Sequence, residues 1–203
     1  SNLAELLQRY SLSRVAIAFG VFDGVHRGHQ KIIQAVKDLA GKHESAPCVV
    51  TFEPHPRTVL KSHDSPMLLT GKEHKLRLLE QRGVAAAILL PFTRELAAMS
   101  AEDFLRCHVA IPDLEVTAIC VGEGWRFGRA GCGDEATLRT FCRGCGCEVV
   151  TVPQEVVCGR PVSSTRIRRA VSQGNLKLAR TLLGRPFSIY GRVSHGRGLG
   201  KKD

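Results

Sequence analysis

The twelve residues Ala18-Phe-Gly-Val-Phe-Asp-Gly-Val-His-Arg-Gly-His29 constrain this chain more than any other stretch, because a buried-strand pattern runs through a glycine-spaced turn into a helix. Val15-Ala-Ile-Ala-Phe19 reads as a short strand, and Ile32, Ile33, Val36, Leu39 and Ala40 recur at helical spacing after it. Gly20, Gly24 and Gly28 permit a sharp turn and a close approach of ligand to backbone. A helix start offers unpaired N–H groups and the positive end of its dipole, which suits phosphate. His26 and His29 leave this turn with ring N–H groups able to donate to phosphoryl oxygens. By itself a His-Arg-Gly-His string suits surface residues or metal ligands equally well. Its place between a strand and an amphipathic helix puts both rings at the carboxyl end of a parallel strand, where open α/β sheets bind ligands.

Alternation continues beyond this unit and predicts βαβ repeats on a parallel sheet. Further strands are expected over 47–52, 85–90, 115–121 and 147–152, and helices over 71–82 and 134–145. Thr70 and Glu73 are spaced for a capping box. Ser100 opens a helix that sets Ala101, Phe104, Leu105, His108 and Val109 on one face, and His108 there reads as a packed histidine at the edge of the core. Ser163 to Arg169 leads into a helix carrying Ile167, Ala170 and Val171, and Asn175 caps another with Leu176, Leu178 and Leu182. Residues 187–193 read as strand-like.

Composition excludes several classes. A chain of 203 residues with 43% hydrophobic and 24% charged residues is globular and long enough for a full α/β core. Its longest apolar run, over 84–92, is too short to span a bilayer, and residues 1–14 lack the apolar segment of a secretory signal. The expectation is a cytoplasmic protein, monomeric or weakly oligomeric, with no membrane and no nucleic-acid partner. The eight cysteines then read as reduced thiols. Cys142, Cys145 and Cys147, with Cys132 nearby, have no partner pair at zinc spacing, and Cys142 and Cys145 continue the stripe of Leu138 and Phe141, so no metal site is expected. The net charge of +10 is localised: from Cys158 onward eleven Lys/Arg face one acidic residue, whereas residues 1–157 balance 18 basic against 18 acidic. With only Phe187 and Tyr190 as aromatics there, a stacking platform for single-stranded nucleic acid is disfavoured.

Three more segments fall where ligands are expected. Phe52-Glu-Pro-His-Pro56 ends a strand with a stiff wall carrying His55, Trp125 and Phe127 in Gly122-Glu-Gly-Trp-Arg-Phe-Gly128 suit either a flat ring or core packing, and Ser163-Ser-Thr-Arg-Ile-Arg168 joins hydroxyls, helix-start N–H groups and arginines into a cradle for a second phosphate. Together with the histidine turn, these segments resemble the FMN adenylyltransferase module of prokaryotic bifunctional riboflavin kinase/FAD synthetases, over residues 14 to 185. The resemblance implies a Rossmann-like α/β fold of the HxGH nucleotidyltransferase type over 1–185. It further implies transfer of AMP from ATP to FMN with Mg²⁺, without a covalent intermediate. On that basis His26, His29 and Arg168 are the catalytic candidates. Gly20, Phe22, Asp23, Gly28, Ser163, Ser164 and Thr165 are assigned to ATP, and Phe52, Pro54, His55, Pro56 and Phe127 to the flavin.

The tail is similar to that family's linker and first kinase strand, so 186–203 is expected to open an incomplete β domain. A longer natural product is expected to be a riboflavin kinase as well, an activity not expected from these 203 residues. One departure stands out: Gly124-Trp125 occupies the place where the family usually has Asp or Asn followed by Phe. That departure keeps a weakened flavin- or nucleotide-binding module as an alternative. A related nucleotidyltransferase with another phosphate acceptor is the other.

Overall fold

The computed structural model describes residues 10–60 and 65–193. Strands β1 (Arg14–Phe19), β2 (Ala46–Glu53), β3 (Ala86–Pro91), β4 (Glu115–Gly122) and β5 (Glu148–Val152) form one sheet in the order β3-β2-β1-β4-β5. Every pairing in it is parallel, as the alternating sequence pattern requires of a Rossmann-like α/β layer. The helices are α1 (Arg27–Lys42), α2 (Pro56–Leu60), α3 (Lys72–Glu80), α4 (Arg94–Ala98), α5 (Ala101–His108), α6 (Glu135–Arg143), α7 (Ser164–Ser172) and α8 (Leu176–Leu183). The chain winds outward from β1 to β3 and then crosses back to β4 on the other side of β1. The carboxyl ends of β1 and β4 therefore flank the point where strand order reverses, the usual ligand crevice of such sheets.

The two faces of β1 are built differently. Ala16 and Ala18 pack with Val49, Ala118 and Cys120 against Ile33, Val36 and Leu39 of α1. These short side chains let the helix lie close to the sheet, so close that a Cβ on Gly122 would stand 3.1 Å from Ile32. On the opposite face the larger Val15, Ile17 and Phe19 meet Phe104 and Leu105 of α5 and Leu138 of α6. Fully buried side chains such as Ile17 and Leu138 contribute about 1.5–3 kcal/mol each, which holds the strand ends in place beneath the loops. A third cluster of Leu69, Val162, Ile167, Leu182 and Leu183 fastens α7 and α8 to the loop before α3.

Several local expectations are corrected. Gly71, not Thr70, is the N-cap of α3 and makes no side-chain cap bond, because the Thr70 hydroxyl is engaged with Asp23 and Gly24 instead. Helix α6 stops at Arg143, two residues short, where Gly146 at φ +71° lets the chain turn back so that Cys147 N–H reaches Cys142 O. Cys145 is consequently exposed and does not extend the buried stripe. Residues 187–193 contain no strand; the segment runs along α3, with Ser188 at 3.3 Å from His74 and the Arg77 guanidinium over the Tyr190 ring. The short helices α2 and α4 and the hairpin of β6 (Val156–Val157) with β7 (Arg160–Pro161) carry no clear periodicity in the sequence. The His195-Gly-Arg-Gly-Leu-Gly200 stretch lies outside the described residues.

Candidate active site

The turn after β1 departs from ordinary backbone geometry. Phe22 at φ +51° and Val25 at φ +40° occupy the left-handed region that non-glycine residues avoid, Val25 despite its β-branch. Such strain persists only when the surroundings enforce it. Here Phe22 and Val25 are almost wholly buried, Gly24 N–H donates to Thr70 Oγ1 at 3.0 Å, and Gln30 Nε2 donates to Val25 O at 2.8 Å. Gly20 is required at the entry, since a Cβ there would meet the Phe22 ring at 2.9 Å. Phe22 has no exposed surface, so it forms no wall of a nucleotide pocket. Burial of its ring against the core instead makes it a support beneath His29, with ring centroids 5.1 Å apart.

His26 is the N-cap of α1, its Nδ1 accepting from His29 N–H at 3.3 Å. This fixes the tautomer: the proton of the neutral ring sits on Nε2. The two imidazoles stack at 3.6 Å and 15°, and a Cβ on Gly28 would press on the His26 ring at 3.3 Å. Burial lowers His26 to about 4, with Arg185 adding to the effect. Burial, His26 and Lys75 together hold His29 well below its usual value. Both rings are therefore neutral hydrogen-bond donors at pH 7 rather than cations.

Asp23 is the hub of the site. Its carboxylate accepts from Leu69 N–H, Thr70 N–H and the Thr70 hydroxyl, and pairs with Arg168 Nη1 at 2.7 Å. The Ser164 hydroxyl donates to Asp23 O at 2.9 Å, so both side chain and backbone of Asp23 dock the start of α7 onto the histidine turn. Ser163 caps α7 by accepting from Arg166 N–H, and Thr165 lies 3.4 Å from Arg168. Arg166 is spent on the hairpin, donating to the carbonyls of Val157, Arg160 and Pro161. The outcome is a polar cleft of about 420 Å³ lined by His26, His29, His55, Ser163, Thr165 and Arg168 among others, with the starts of α1 and α7 meeting across it.

Beside it lies an apolar cavity of about 310 Å³ lined by Phe52, Pro56, Phe92, Trp125 and Phe127, with Val21 common to both spaces. Trp125 stacks on Phe127 at 4.7 Å and 17° and on Phe19 at 5.7 Å, giving the cavity a flat wall. Of the residues assigned to a flavin, Phe52, Pro56 and Phe127 meet here, His55 turns to the polar cleft, and Pro54 lines neither space. Gly124 opens on a third cleft with Trp125, Arg126 and Asp134, and a Cβ at Gly124 would meet no atom within 4 Å.

Lys75 escaped sequence reading. In the charged run Lys72-Glu-His-Lys75 it has the pattern of a solvated helix face, yet it is 5% exposed and donates to Phe52 O at 3.2 Å and Thr51 Oγ1 at 3.4 Å. It props the end of β2 and adds positive charge beneath the histidines.

The family model for FAD synthetase matches residues 8–166. The chain belongs to the FAD synthetase family. It is 35% identical over 185 residues to a bifunctional riboflavin kinase/FMN adenylyltransferase of Escherichia coli K12, covering 91% of this chain and 59% of the relative. It is 33% identical over 186 residues to the protein of the same name in Listeria monocytogenes, covering 91% and 58%. The chain thus spans about 60% of the length of the curated relatives it matches. A crystal structure described as a macrolide-efflux protein from Streptococcus pneumoniae superposes with a TM-score of 0.78 at 29% identity, over 91% of this chain and 61% of that one. Among the described residues of this FAD synthetase family member, no helix is long and apolar enough to cross a membrane.

Proposed function

We propose that this chain transfers the adenylyl group of ATP to the phosphate of FMN, giving FAD and pyrophosphate, with residues 1–185 as the transfer unit. The observation that carries the reading is the juxtaposition of an anion-binding cleft and an aromatic slot sharing the wall of Val21, because the acceptor has a phosphate at one end and a flat ring system at the other. Family membership supports the same reaction.

In this reading the isoalloxazine enters between Phe52, Pro56, Trp125 and Phe127, and its phosphate reaches the polar cleft. A phosphate oxygen of FMN attacks the α-phosphorus in line, the bond to the β-phosphate bridging oxygen breaks, and pyrophosphate leaves. The protein aligns two anions and neutralises the charge that grows on the leaving group. His26 donates from Nε2–H and His29 from its ring N–H to phosphoryl oxygens, Arg168 presents a guanidinium held by Asp23, and the N–H groups at the starts of α1 and α7 add oriented dipoles. His55, with its pKa lowered by burial, stands at the rim as a further neutral donor. The Ser163 and Thr165 hydroxyls and the backbone N–H of Ser164, whose own hydroxyl is engaged with Asp23 O, hold the triphosphate from the α7 side.

ATP is taken as its Mg²⁺ complex. Mg²⁺ keeps most of its waters and binds mainly through substrate phosphates, so it requires few protein ligands. That suits a site whose buried carboxylate, Asp23, is already committed to Arg168 and to the Leu69–Thr70 backbone.

The test is incubation of the 203-residue chain with FMN, ATP and Mg²⁺, separating flavins and measuring pyrophosphate, with 4′-phosphopantetheine, nicotinamide mononucleotide and glycerol 3-phosphate as rival acceptors. Equimolar FAD and pyrophosphate from FMN is the expected result. Binding of FMN without FAD, or turnover of a rival acceptor in its place, overturns the reading.

A further inference from the structure

Helix α6 ends in a cap made of cysteines. Cys142 O accepts the N–H of Cys145 and of Cys147, each at 3.2 Å, and Gly146 supplies the left-handed residue between them. In a cap of this kind the side chain just after the left-handed residue meets the one four positions before that residue. Those positions are Cys142 and Cys147. Disulfides join residues whose Cα atoms stand about 4.4–6.8 Å apart, a span reached when one residue's N–H bonds the other's carbonyl. Cys145 Sγ lies 3.5 Å from Cys142 O and Cys147 Sγ 3.7 Å from Glu148 O, and both thiols are near enough to shift the titration of Cys142. Access differs along the trio: Cys142 and Cys147 are 1% and 7% exposed, whereas Cys145 is on the surface. A cleft of about 220 Å³ opens on Cys147 and is lined by Arg139, Arg143 and Val149; Arg139 is paired with Glu135 and donates to Val149 O, which leaves Arg143 as the cation beside the trio.

We propose that Cys142, Cys145 and Cys147 form a thiol relay that a low-molecular-weight, carboxylate-bearing disulfide of the glutathione class oxidises, leaving a Cys142–Cys147 disulfide across the end of α6. The Cys145 thiolate attacks the small disulfide, forming a mixed disulfide and releasing one thiolate. The Cys142 thiolate then attacks Cys145 Sγ and expels the second small thiolate. Finally Cys147 attacks Cys142 Sγ and returns Cys145 to its reduced form. Two protein thiols lose two electrons and two protons in total, and one small disulfide becomes two thiols. Burial raises Cys145, so entry quickens as pH rises; the neighbouring thiols lower Cys142, favouring it as the second nucleophile, while Cys142 and burial hold Cys147 well above the usual thiol range, so the last exchange is the slow step. The trio lies at the amino end of β5, whereas the histidine turn follows the carboxyl end of β1, so the relay does not rest on the adenylyl-transfer reading.

The full chain is incubated with oxidised glutathione, blocked with N-ethylmaleimide and digested with trypsin without reduction. Cleavage after Arg139 and Arg143 isolates Cys142 in Thr140–Arg143 and leaves Cys145, Cys147 and Cys158 in the peptide from Gly144, so the expected bond joins two peptides that dithiothreitol separates, and fragmentation of the linked pair assigns it to Cys147. Cys142→Ser is expected to accumulate the mixed disulfide on Cys145, and Cys147→Ser to stop at a Cys142–Cys145 bond. Cys145→Ser, a surface change, is expected to slow formation of the Cys142–Cys147 bond at least about tenfold because only the two buried thiols of the trio remain to attack. Cys142 still fully alkylated after unfolding, a bond mapping to Cys132 or Cys158, or Cys145→Ser oxidising as fast as the parent overturns the proposal.

Discussion

His108 offers a quantitative test of how the core handles ionisation. It is 5% exposed, its ring packs 4.8 Å from that of Phe104, and neither ring nitrogen has a hydrogen-bond partner. Burial lowers it from 6.5 to about 4. Because the folded value lies below the unfolded one, the unfolded chain binds more protons between them, so stability is complete above 6.5 and is lost as pH falls toward 4. With those two values the loss at pH 5, relative to pH 7.5, is about 2 kcal/mol. His108→Leu removes the titration while keeping an apolar side chain on α5. His26 and His29 destabilise parent and variant alike in acid, so their effect cancels in the difference. Urea unfolding of both proteins at pH 7.5 and pH 5.0 is therefore expected to show the variant gaining about 2 kcal/mol on the parent as pH drops, a midpoint shift of about 1 M. A stability difference that stays constant across this range refutes a neutral, desolvated His108.

His29→Ala is expected to lower turnover by about 10²–10³-fold while FMN affinity measured by fluorescence quenching changes little, since a donor to the phosphoryl group acts in the transition state; equal losses in both count against that role. Asp23→Asn leaves Arg168 without its counter-ion in a site where the two side chains are 4% and 17% exposed, and a loss of about 3–5 kcal/mol in chemical denaturation is expected, with reduced turnover in whatever folds. Two glycines of one loop form a contrasting pair. Gly128→Ala drives a Cβ to 2.8 Å from Ala101 N at φ +70° and is expected to lose more than about 2 kcal/mol, whereas Gly124→Asn, at φ +76° with no neighbour within 4 Å, is expected to cost under about 1 kcal/mol in thermal melts.

The layered sheet was legible because its strands are short apolar runs separated by periodic helices, a pattern read from neighbours in the chain. The histidine turn was legible for a similar reason: Gly20, Gly24, Gly28, His26 and His29 lie within ten residues, and their spacing alone states that backbone and rings crowd one point. What the sequence concealed depends on partners far along the chain. Thr70 and Glu73 have the spacing of a capping box, but Thr70 is claimed by Asp23 and Gly24 some 46 residues away, a competition that no local window contains. Lys75 is indistinguishable in sequence from the exposed Lys72, and only the arrival of the β2 end over α3 buries it. The same holds for Phe22, which the family resemblance assigns to the nucleotide and which is wholly buried at a positive φ.

These long-range claims share a direction that bears on function. Asp23 binds Arg168 and Thr70, Gln30 donates to both Val25 O and Leu183 O, and Ser164 donates to Asp23 O, so the strained turn is tied to α7, α8 and the loop before α3. The starts of α1 and α7, which line the polar cleft, are thereby fixed to one another rather than to separate parts of the sheet. A site that must hold two anions in line gains little from either half alone, because misplacement by about 1 Å forfeits roughly a hundredfold in rate. Loss of Asp23 should accordingly lower turnover even though its carboxylate, enclosed by Arg168 and the Leu69–Thr70 backbone, faces the protein rather than the cleft. On the proposed reaction, that separates a residue that builds the geometry from the histidines assigned to the phosphates.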